Sequence, residues 1–437
     1  MNHKTSFVVR HIKFILIAIL FVKIAGYFSI VEERSVNQVF KTISRVGMTG
    51  AILFVLSRLK KKGCIPAFKY DNLLSPILYS AYLLLAVASF GWSTDPQYSI
   101  LQWSMTFESF VFTFAYIRVL VIINKHFPDH KIDLISLFAW AVFPFMIIFI
   151  IGSFADPDTF YRGMRGGEEK RLGGWIMNPN ELGMLSSMGA AMAYLLIQKT
   201  KSKTFPLLMI ASAIVVLALT SSRSSAIGFL LIMGILVLLS KNKKVKIIMI
   251  VGVSIAGPIM INYIVFKDSG GIEEVMSMTG RLPFWKALLN EGIVREPWFG
   301  FGFMRINYTD YFQGLGTYPA KMTHNTFMQV LMNLGFVGFF IAFWQLIQTL
   351  RNFFKEKNSP HKNFFIAMFI PIIINSFTEF GIFGEANYTI LFYQFLIWIF
   401  VIDFKTKFSP REKIAFNLFQ RQNKLSQIGN SSPEKSN

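Results

Sequence analysis

Long, nearly unbroken apolar runs separated by short polar punctuation dominate the chain. ILYSAYLLLAVASF, LISLFAWAVFPFMIIFIIGSF and TILFYQFLIWIFVIDF approach or reach the roughly 20 apolar residues with which a helix crosses about 30 Å of hydrocarbon. Strands of a membrane barrel would alternate in polarity, and these runs do not. A helix also satisfies its own backbone polar groups, as lipid demands. The pattern gives about twelve spans, near 13–31, 38–57, 72–91, 101–124, 132–152, 174–197, 204–221, 224–240, 245–266, 324–350, 363–380 and 387–404. The second is the weakest, because Lys41 and Arg45 lie inside it. The expectation is an all-α polytopic integral membrane protein of about 12 transmembrane helices, with a long extracytoplasmic loop between the ninth and tenth.

Charge orients these spans. Alternate connections carry Arg58 with Lys60 to Lys62, then Lys199, Lys201 and Lys203, then Lys241, Lys243, Lys244 and Lys246, then Arg351, Lys355, Lys357 and Lys362. Lys405 and Lys407 follow the last span. An excess of basic residues marks the cytoplasmic side, so these connections and both termini are expected there. The other connections are balanced: in 267–323, residues such as Arg281, Lys286 and Arg295 face Glu273, Glu274, Glu291 and Glu296, and 153–173 balances likewise. Those segments are expected outside, with His324 among them.

The outer segment 267–323 is too long for a plain connector. Within it RLPFWKALLNEGIV has helical spacing, with Leu282, Trp285, Leu288 and Leu289 on one face, which suits a helix lying on the membrane surface. The chain divides into a polytopic domain, 1–404, and a polar, basic cytoplasmic tail, 405–437, whose Ser, Asn and Lys content favours disorder.

Composition narrows the classes. The 437 residues are 53% hydrophobic with 47 Phe, which excludes an ordinary soluble domain. The net charge of +20 is absorbed by basic cytoplasmic loops, so nucleic acid is not expected as a partner. A single cysteine, Cys64, excludes an intrachain disulfide and a cysteine metal cluster. The basic start leads into IKFILIAILFVKIAGYFSI with no small-residue cleavage site after it, which reads as an uncleaved first span.

Polar residues gather where spans begin at the outer face. EEKRLGGWIMNPNELG opens one inward span, with Asn178 or Asn180 able to cap and Pro179 suited to the first turn. SSRSSAIG opens a second and HNTFMQ a third. Three helix N-termini, each with a basic or potentially basic neighbour in Arg171, Arg223 or His324, make an anion site. Asn325, Gln329 and Asn333 recur every four residues, a stripe that must face the bundle or a cavity.

Taken singly, these residues have structural readings too. An arginine at a span end snorkels to headgroups, a histidine caps, NPN starts a helix, and Gly335 and Gly338 let helices pack closely. Arg295, Trp298 and FGFGF suit loop shaping, and Trp285, Trp298, Tyr308, Tyr311 and Tyr318 suit an interfacial belt as well as stacking on sugars. Asp156, Pro157 and Asp158 spell D-x-D, but no metal site is expected there, and GFGFMRIN lacks the preceding strand and third glycine of a dinucleotide fingerprint.

In order, RLGGWIMNPNELG, TSSRSSAIGF, TGRLPFW with PWFGFGF, and HNTFMQVLMNLGFVG resemble the O-antigen ligase and Wzy-type polymerase superfamily of bacterial surface-polysaccharide assembly. By motif the resemblance covers about residues 170–345. It implies a metal-independent, inverting glycosyltransferase of the bacterial inner membrane, without cofactor, that acts at the outer face. The implied donor is an oligosaccharide on undecaprenyl diphosphate. The implied acceptor is either another lipid-linked glycan, in polymerases, or the lipid A core of lipopolysaccharide, in ligases; other polysaccharide-assembly proteins are further implied partners. Arg223 and Arg281 match the arginines that grip the diphosphate, His324 the histidine that acts on the acceptor hydroxyl, and Arg171 a basic position before the asparagine-proline motif. Polymerase is slightly preferred, because the outer loops concentrate no basic patch for a phosphorylated core.

Two other classes compete. A lipid-linked sugar flippase or transporter would place ionisable groups near the bilayer midplane and show related halves. Lys23 and Glu379 suit it, although Glu379 equally suits a second base or a partner for an arginine. A non-catalytic scaffold for a polysaccharide complex is the third.

Overall fold

The structure is a computed structural model, and it describes residues 3–29, 33–61, 70, 72–127, 131–164, 169–240, 281–304, 306, 322–356, 361–379 and 381–402, with isolated positions between 243 and 258 and between 414 and 421. The ninth predicted run, most of 267–323 and the tail 405–437 therefore lie largely outside the described residues. Every other predicted run coincides with a helix. The order begins with α1 (His3–Ala25), α2 (Arg34–Lys61), α3 (Leu74–Ala88), α4 (Pro96–His126) and α5 (Leu134–Ala155). A single turn, α6 (Pro157–Phe160), and a hairpin of β1 (Tyr161–Met164) and β2 (Glu169–Leu172) follow. Next come α7 (Pro179–Ile197), α8 (Thr204–Thr220) and α9 (Arg223–Leu239). α10 (Arg281–Ala287) continues through a π-turn at Leu288–Gly292 and a last turn at Ile293–Arg295; α11 (Thr326–Lys355), α12 (His361–Ser376) and α13 (Tyr388–Ile399) complete the order.

Among the described residues, five helical segments are long and apolar enough to cross a membrane: Ser35–Lys60, Leu74–Gly91, Pro96–His126, Leu134–Ala155 and Thr326–Lys355. Thr204–Thr220, Arg223–Leu239 and Tyr388–Ile399 are shorter apolar helices. The chain is a mostly helical, polytopic membrane protein. It is not purely α. β1 and β2 pair antiparallel, with Tyr161 opposite Leu172 and Arg162 opposite Arg171. Four-residue strands are too short to reveal alternation in the sequence, so this stretch reads there as a plain connection.

Helix starts follow local chemistry. Asp95 accepts from the Tyr98 N–H at 3.1 Å ahead of Pro96, and Asp133 from the Ser136 N–H at 3.3 Å. The centre of the bundle is α7, whose small residues permit close approach: a Cβ on Gly183 would meet Ser225 Oγ of α9 at 2.8 Å, and one on Gly189 would meet Val142 of α5 at 3.0 Å. α13 is buried along its whole length.

The weakest predicted span, α2, is continuous because its polar residues turn inward. Arg45 is buried, stacks over the Tyr27 ring at 4.3 Å and donates to the Met105 carbonyl at 3.2 Å, while Lys41 reaches Ser29 Oγ at 3.1 Å. Val39, Phe40, Ile43 and Val46 stay exposed on α2, as a lipid-facing side requires.

The outer helix differs from expectation in phase. Phe284 and Leu288 are buried, against Phe301, Ile306, Leu331 and Met332, while Leu282 and Leu289 are more than two-fifths exposed. The buried pair is an i,i+4 couple, and Leu282 and Leu289, seven residues apart, share the exposed side; a π-turn begins at Leu288.

Candidate functional site

Three distant parts of the chain meet on one carboxylate. Glu379 lies in the turn that closes α12, its N–H donating to the Asn375 carbonyl at 2.7 Å. One oxygen, Oε2, stands 2.9 Å from His324 Nδ1. The other, Oε1, accepts from Asn180 Nδ2 at 3.0 Å and from Arg281 Nη2 at 3.4 Å. Arg281 also donates to the Thr378 carbonyl at 2.5 Å. Glu379 is buried at 8% exposure. Burial alone would raise its pKa. The hydrogen bond and charge of His324, the charge of Arg281 and the bond from Asn180 outweigh that, and hold the carboxyl below the usual carboxylate range. The sequence-level option of Glu379 as an arginine partner is realised.

His324 reaches this position through an unusual backbone. Its φ is +50°, a left-handed conformation uncommon for a non-glycine residue, and its neighbours hold it there. Before it, the Thr323 N–H donates to Gln329 Oε1 at 2.9 Å and the Thr323 carbonyl accepts from Trp285 Nε1 at 2.7 Å. After it, Asn325 caps α11 by accepting from the N–H groups of Phe327 and Met328 at 2.9 and 3.1 Å. Gln329 also donates to the Met304 carbonyl at 2.9 Å and to Asn333 Oδ1 at 2.8 Å. The expected polar stripe is therefore a cap plus a buried pair, and its members brace the loop around His324.

Arg171, on β2, extends the network. Its Nη2 donates to Asn180 Oδ1 at 2.9 Å, and its Nε to the Thr220 carbonyl at 2.8 Å. Thr220 ends α8, and the chain turns back at Ser221, φ +51°, into α9. Ser222 caps α9, and Ser225 Oγ donates to the Asn180 carbonyl at 2.9 Å. Arg223 is the first residue of α9, half-buried, and joins the cluster through the backbone of this turn. Asn178 acts as the cap of α7, accepting from the Asn180 N–H at 2.9 Å.

The network thus unites Arg171, Asn180, Arg281 and His324 on Glu379, sets Arg223 on an adjoining turn, and uses Asn178, Asn325 and Gln329 as framework. The three predicted helix N-termini do converge. A fourth joins them: Asn387 caps α13 and its Nδ2 donates to Glu181 Oε1 at 3.4 Å, while the Tyr388 hydroxyl donates to the Glu181 carbonyl. Sequence reasoning passed over α13 as a contributor, although an asparagine ahead of an apolar run signals a capped start. It also passed over Glu181, inside the quoted NELG.

α11 is not one straight helix. Gly335 has φ +60° and ψ −162°, a break in the helical path. At the break the Met332 and Asn333 carbonyls accept from the N–H groups of Phe301 and Gly302, each at 2.9 Å, and the Phe336 N–H donates back to the Pro297 carbonyl at 2.8 Å. A Cβ on Gly335 would lie 2.3 Å from the Trp298 carbonyl carbon. The expectation that Gly335 serves helix packing is corrected: it admits a loop backbone, and the glycines of FGFGF answer from the other side. Gly300 and Gly302 both have positive φ.

The remaining motifs resolve structurally. Asp156 caps α6, accepting from the Thr159 N–H at 3.3 Å. Lys23 is fully buried and pairs with Glu108 at 2.5 and 2.6 Å, with Thr49 Oγ1 and the Arg45 carbonyl each at 3.2 Å. Among the described residues no group of three or more His, Cys, Asp or Glu side chains is placed to hold a metal.

Chemically, the cluster offers an oriented imidazole, guanidinium groups and four capped helix N-termini in one place. Residues 207–343 match the family whose description is O-antigen ligase. The match includes Arg223, Arg281 and His324, while Arg171, Asn180 and Glu379 lie outside it. No curated protein matches the chain.

Proposed function

We propose that the protein transfers a glycan from undecaprenyl diphosphate to a sugar hydroxyl at the outer face of a bacterial inner membrane, a reading supported by the match of residues 207–343 to the O-antigen ligase family. The observation that carries this reading is the shared Glu379 carboxylate, which holds His324 at 2.9 Å and Arg281 at 3.4 Å although the three residues lie on separate segments.

The chemistry follows from that geometry. With Nδ1–H donating to Glu379, His324 leaves Nε2 to take the proton of an acceptor hydroxyl. The hydroxyl oxygen attacks the anomeric carbon, the bond to the diphosphate oxygen breaks, and the hydroxyl proton passes to Nε2 as the new bond forms. Negative charge grows on the departing diphosphate. Arg281, Arg223 and Arg171, with the N-termini of α7, α9, α11 and α13, supply fixed positive charge and donors for it, which makes the transfer metal-independent. Attack from the face opposite the leaving group inverts the anomeric centre.

The resemblance supports about 12 spans in this reading, and the basic connections support both termini in the cytoplasm with the Glu379 cluster outside. Polymerase is favoured over ligase on the absence of a basic patch in the acceptor-facing outer segments of the sequence.

The test is direct. Purified chain in lipid bilayers, given undecaprenyl-diphosphate oligosaccharide and either a second lipid-linked unit or a lipid A core acceptor, is expected to form a longer glycan in one arm. His324→Ala is expected to lower the rate by about 10²–10⁴-fold with the protein still folded in the membrane. Wild-type rates in the variant, or flux of the lipid-linked sugar across vesicles without bond formation, would replace this reading with transport.

A further inference from the structure

A cavity of about 620 Å³ shares no lining residue with the Glu379 cluster. It is lined by Trp92, Thr94, Arg295, Glu296 and Phe299, with Gly300 and Phe301. That size is ordinary for a ligand site.

The cavity is built from parts already fixed by the fold. Trp92 and Thr94 belong to the turn between α3 and α4, and the Thr94 N–H donates to the Phe301 carbonyl at 3.3 Å. Phe301 is bonded in turn to Met332, at the break in α11. Arg295 ends the helical segment that begins at Arg281. Fourteen residue steps at about 1.5 Å each put Arg295 on the order of 20 Å along that segment from the residue that bonds Glu379. Phe284 and Leu288 bury the segment against Leu331 and Met332, so the spacing between cluster and cavity is set by packing.

Its chemistry fits a sugar chain. The Trp92 and Phe299 rings lie edge to face, with centroids 6.1 Å apart, and are 41% and 51% exposed. Ring faces of this kind complement the C–H faces of sugars. Beside them stand one guanidinium, one carboxylate and one hydroxyl, a set that both donates to and accepts from hydroxyl groups and carries no net charge. A phosphate headgroup would call for an excess of basic side chains, which this wall lacks.

We infer that this cavity is a distal glycan subsite, which holds a part of the growing polysaccharide several sugars away from the bond being made. The inference rests on the transferase reading and adds to it a means of sensing chain length: long glycans reach both places, and a single repeat unit reaches only the Glu379 cluster.

The experiment uses full-length protein in nanodiscs and two fractions of the producing cell's own surface polysaccharide, single repeat units and chains of many units, released by mild acid for the binding measurement and carried on undecaprenyl diphosphate for the transfer measurement. Long chains are expected to bind more tightly than single units. The double variant Trp92→Ala, Phe299→Ala is expected to weaken long-chain binding about tenfold and to lower the ratio of long-chain to single-unit transfer by a similar factor. Arg295→Gln, at an exposed position, keeps the test valid if the double variant does not fold, and a loss of about threefold or more is expected from it. His324→Ala is expected to lose transfer and yet to keep the preference of binding for long chains over single units, which separates this inference from the transferase reading. Equal long-chain affinity in wild type, double variant and Arg295→Gln overturns the subsite, as does quenching of Trp92 by brominated lipids with unchanged glycan binding, which would make the rings a membrane contact. Transfer that proceeds with no preference for long chains sinks the subsite alone, and absence of both binding and transfer sinks both.

Discussion

Two buried acid–base clusters among the described residues are built on different plans. Lys23, in the last turn of α1, meets Glu108 in the middle of α4, with 0% and 16% side-chain exposure. Thr49 and the Arg45 carbonyl fill the lysine's other donor positions. Glu379 sits instead in a loop where helices begin, and one carboxylate serves His324, Arg281 and Asn180. In the first cluster each charge is answered at once and little is left to offer. In the second, several positive groups and helix N-termini gather round Glu379, with Glu181 as a second acid beside them, and the positive groups are placed to meet an anionic substrate. The lesson is that a buried ionisable residue is informative mainly through its balance: the Lys23–Glu108 pair ties helices together, and the proposed transfer rests on the set around Glu379.

The largest effect is expected from breaking the balanced pair. Glu108→Ala strands a buried ammonium and should destabilise the fold by about 3–5 kcal/mol, read as loss of folded protein on detergent melting, with no specific change in catalysis per folded molecule. Glu379→Gln should act the other way round: folded protein persists, while transfer falls about 10- to 100-fold as a charge-assisted bond to His324 is lost. The pH profile sharpens the contrast. Because the folded pKa of Glu379 is depressed, its contribution to stability and activity is present above the ordinary carboxylate pKa and is lost as pH falls through the lower folded value. Wild-type activity should therefore show, below the ordinary carboxylate range, a further fall from Glu379 that Glu379→Gln lacks.

Gly335→Ala should cost about 1–3 kcal/mol through strain at φ +60°, and should disturb transfer while leaving the Lys23–Glu108 pair untouched. Asn325→Ala removes a helix cap beside His324 and should cost about 1 kcal/mol, with a visible shift in acceptor KM if the cap positions the imidazole.

The fold was largely legible because long apolar runs have few alternatives in lipid, and all but the undescribed ninth run coincide with helices. Lys41 and Arg45 made α2 look doubtful only because a sequence does not say which way a side chain faces. The candidate site was legible in its parts: His324, Arg281, Arg171 and Asn180 do converge. What joins them was not, since Glu379 looks alike as a transport residue, a base or an ion-pair partner until its neighbours are known. The break at Gly335 was hidden for a similar reason. Its cause is a stretch of backbone over thirty residues earlier, and helical spacing within α11 carries no trace of that visitor.

The loop keyed into that break has a heritable consequence. Met332 and Asn333 need donors at a fixed offset, and Phe301 and Gly302 supply them at one register. An insertion or deletion in either stretch would throw both out of step, so the two should tolerate changes in length only together, as teeth on a pair of gears must be recut in matching number.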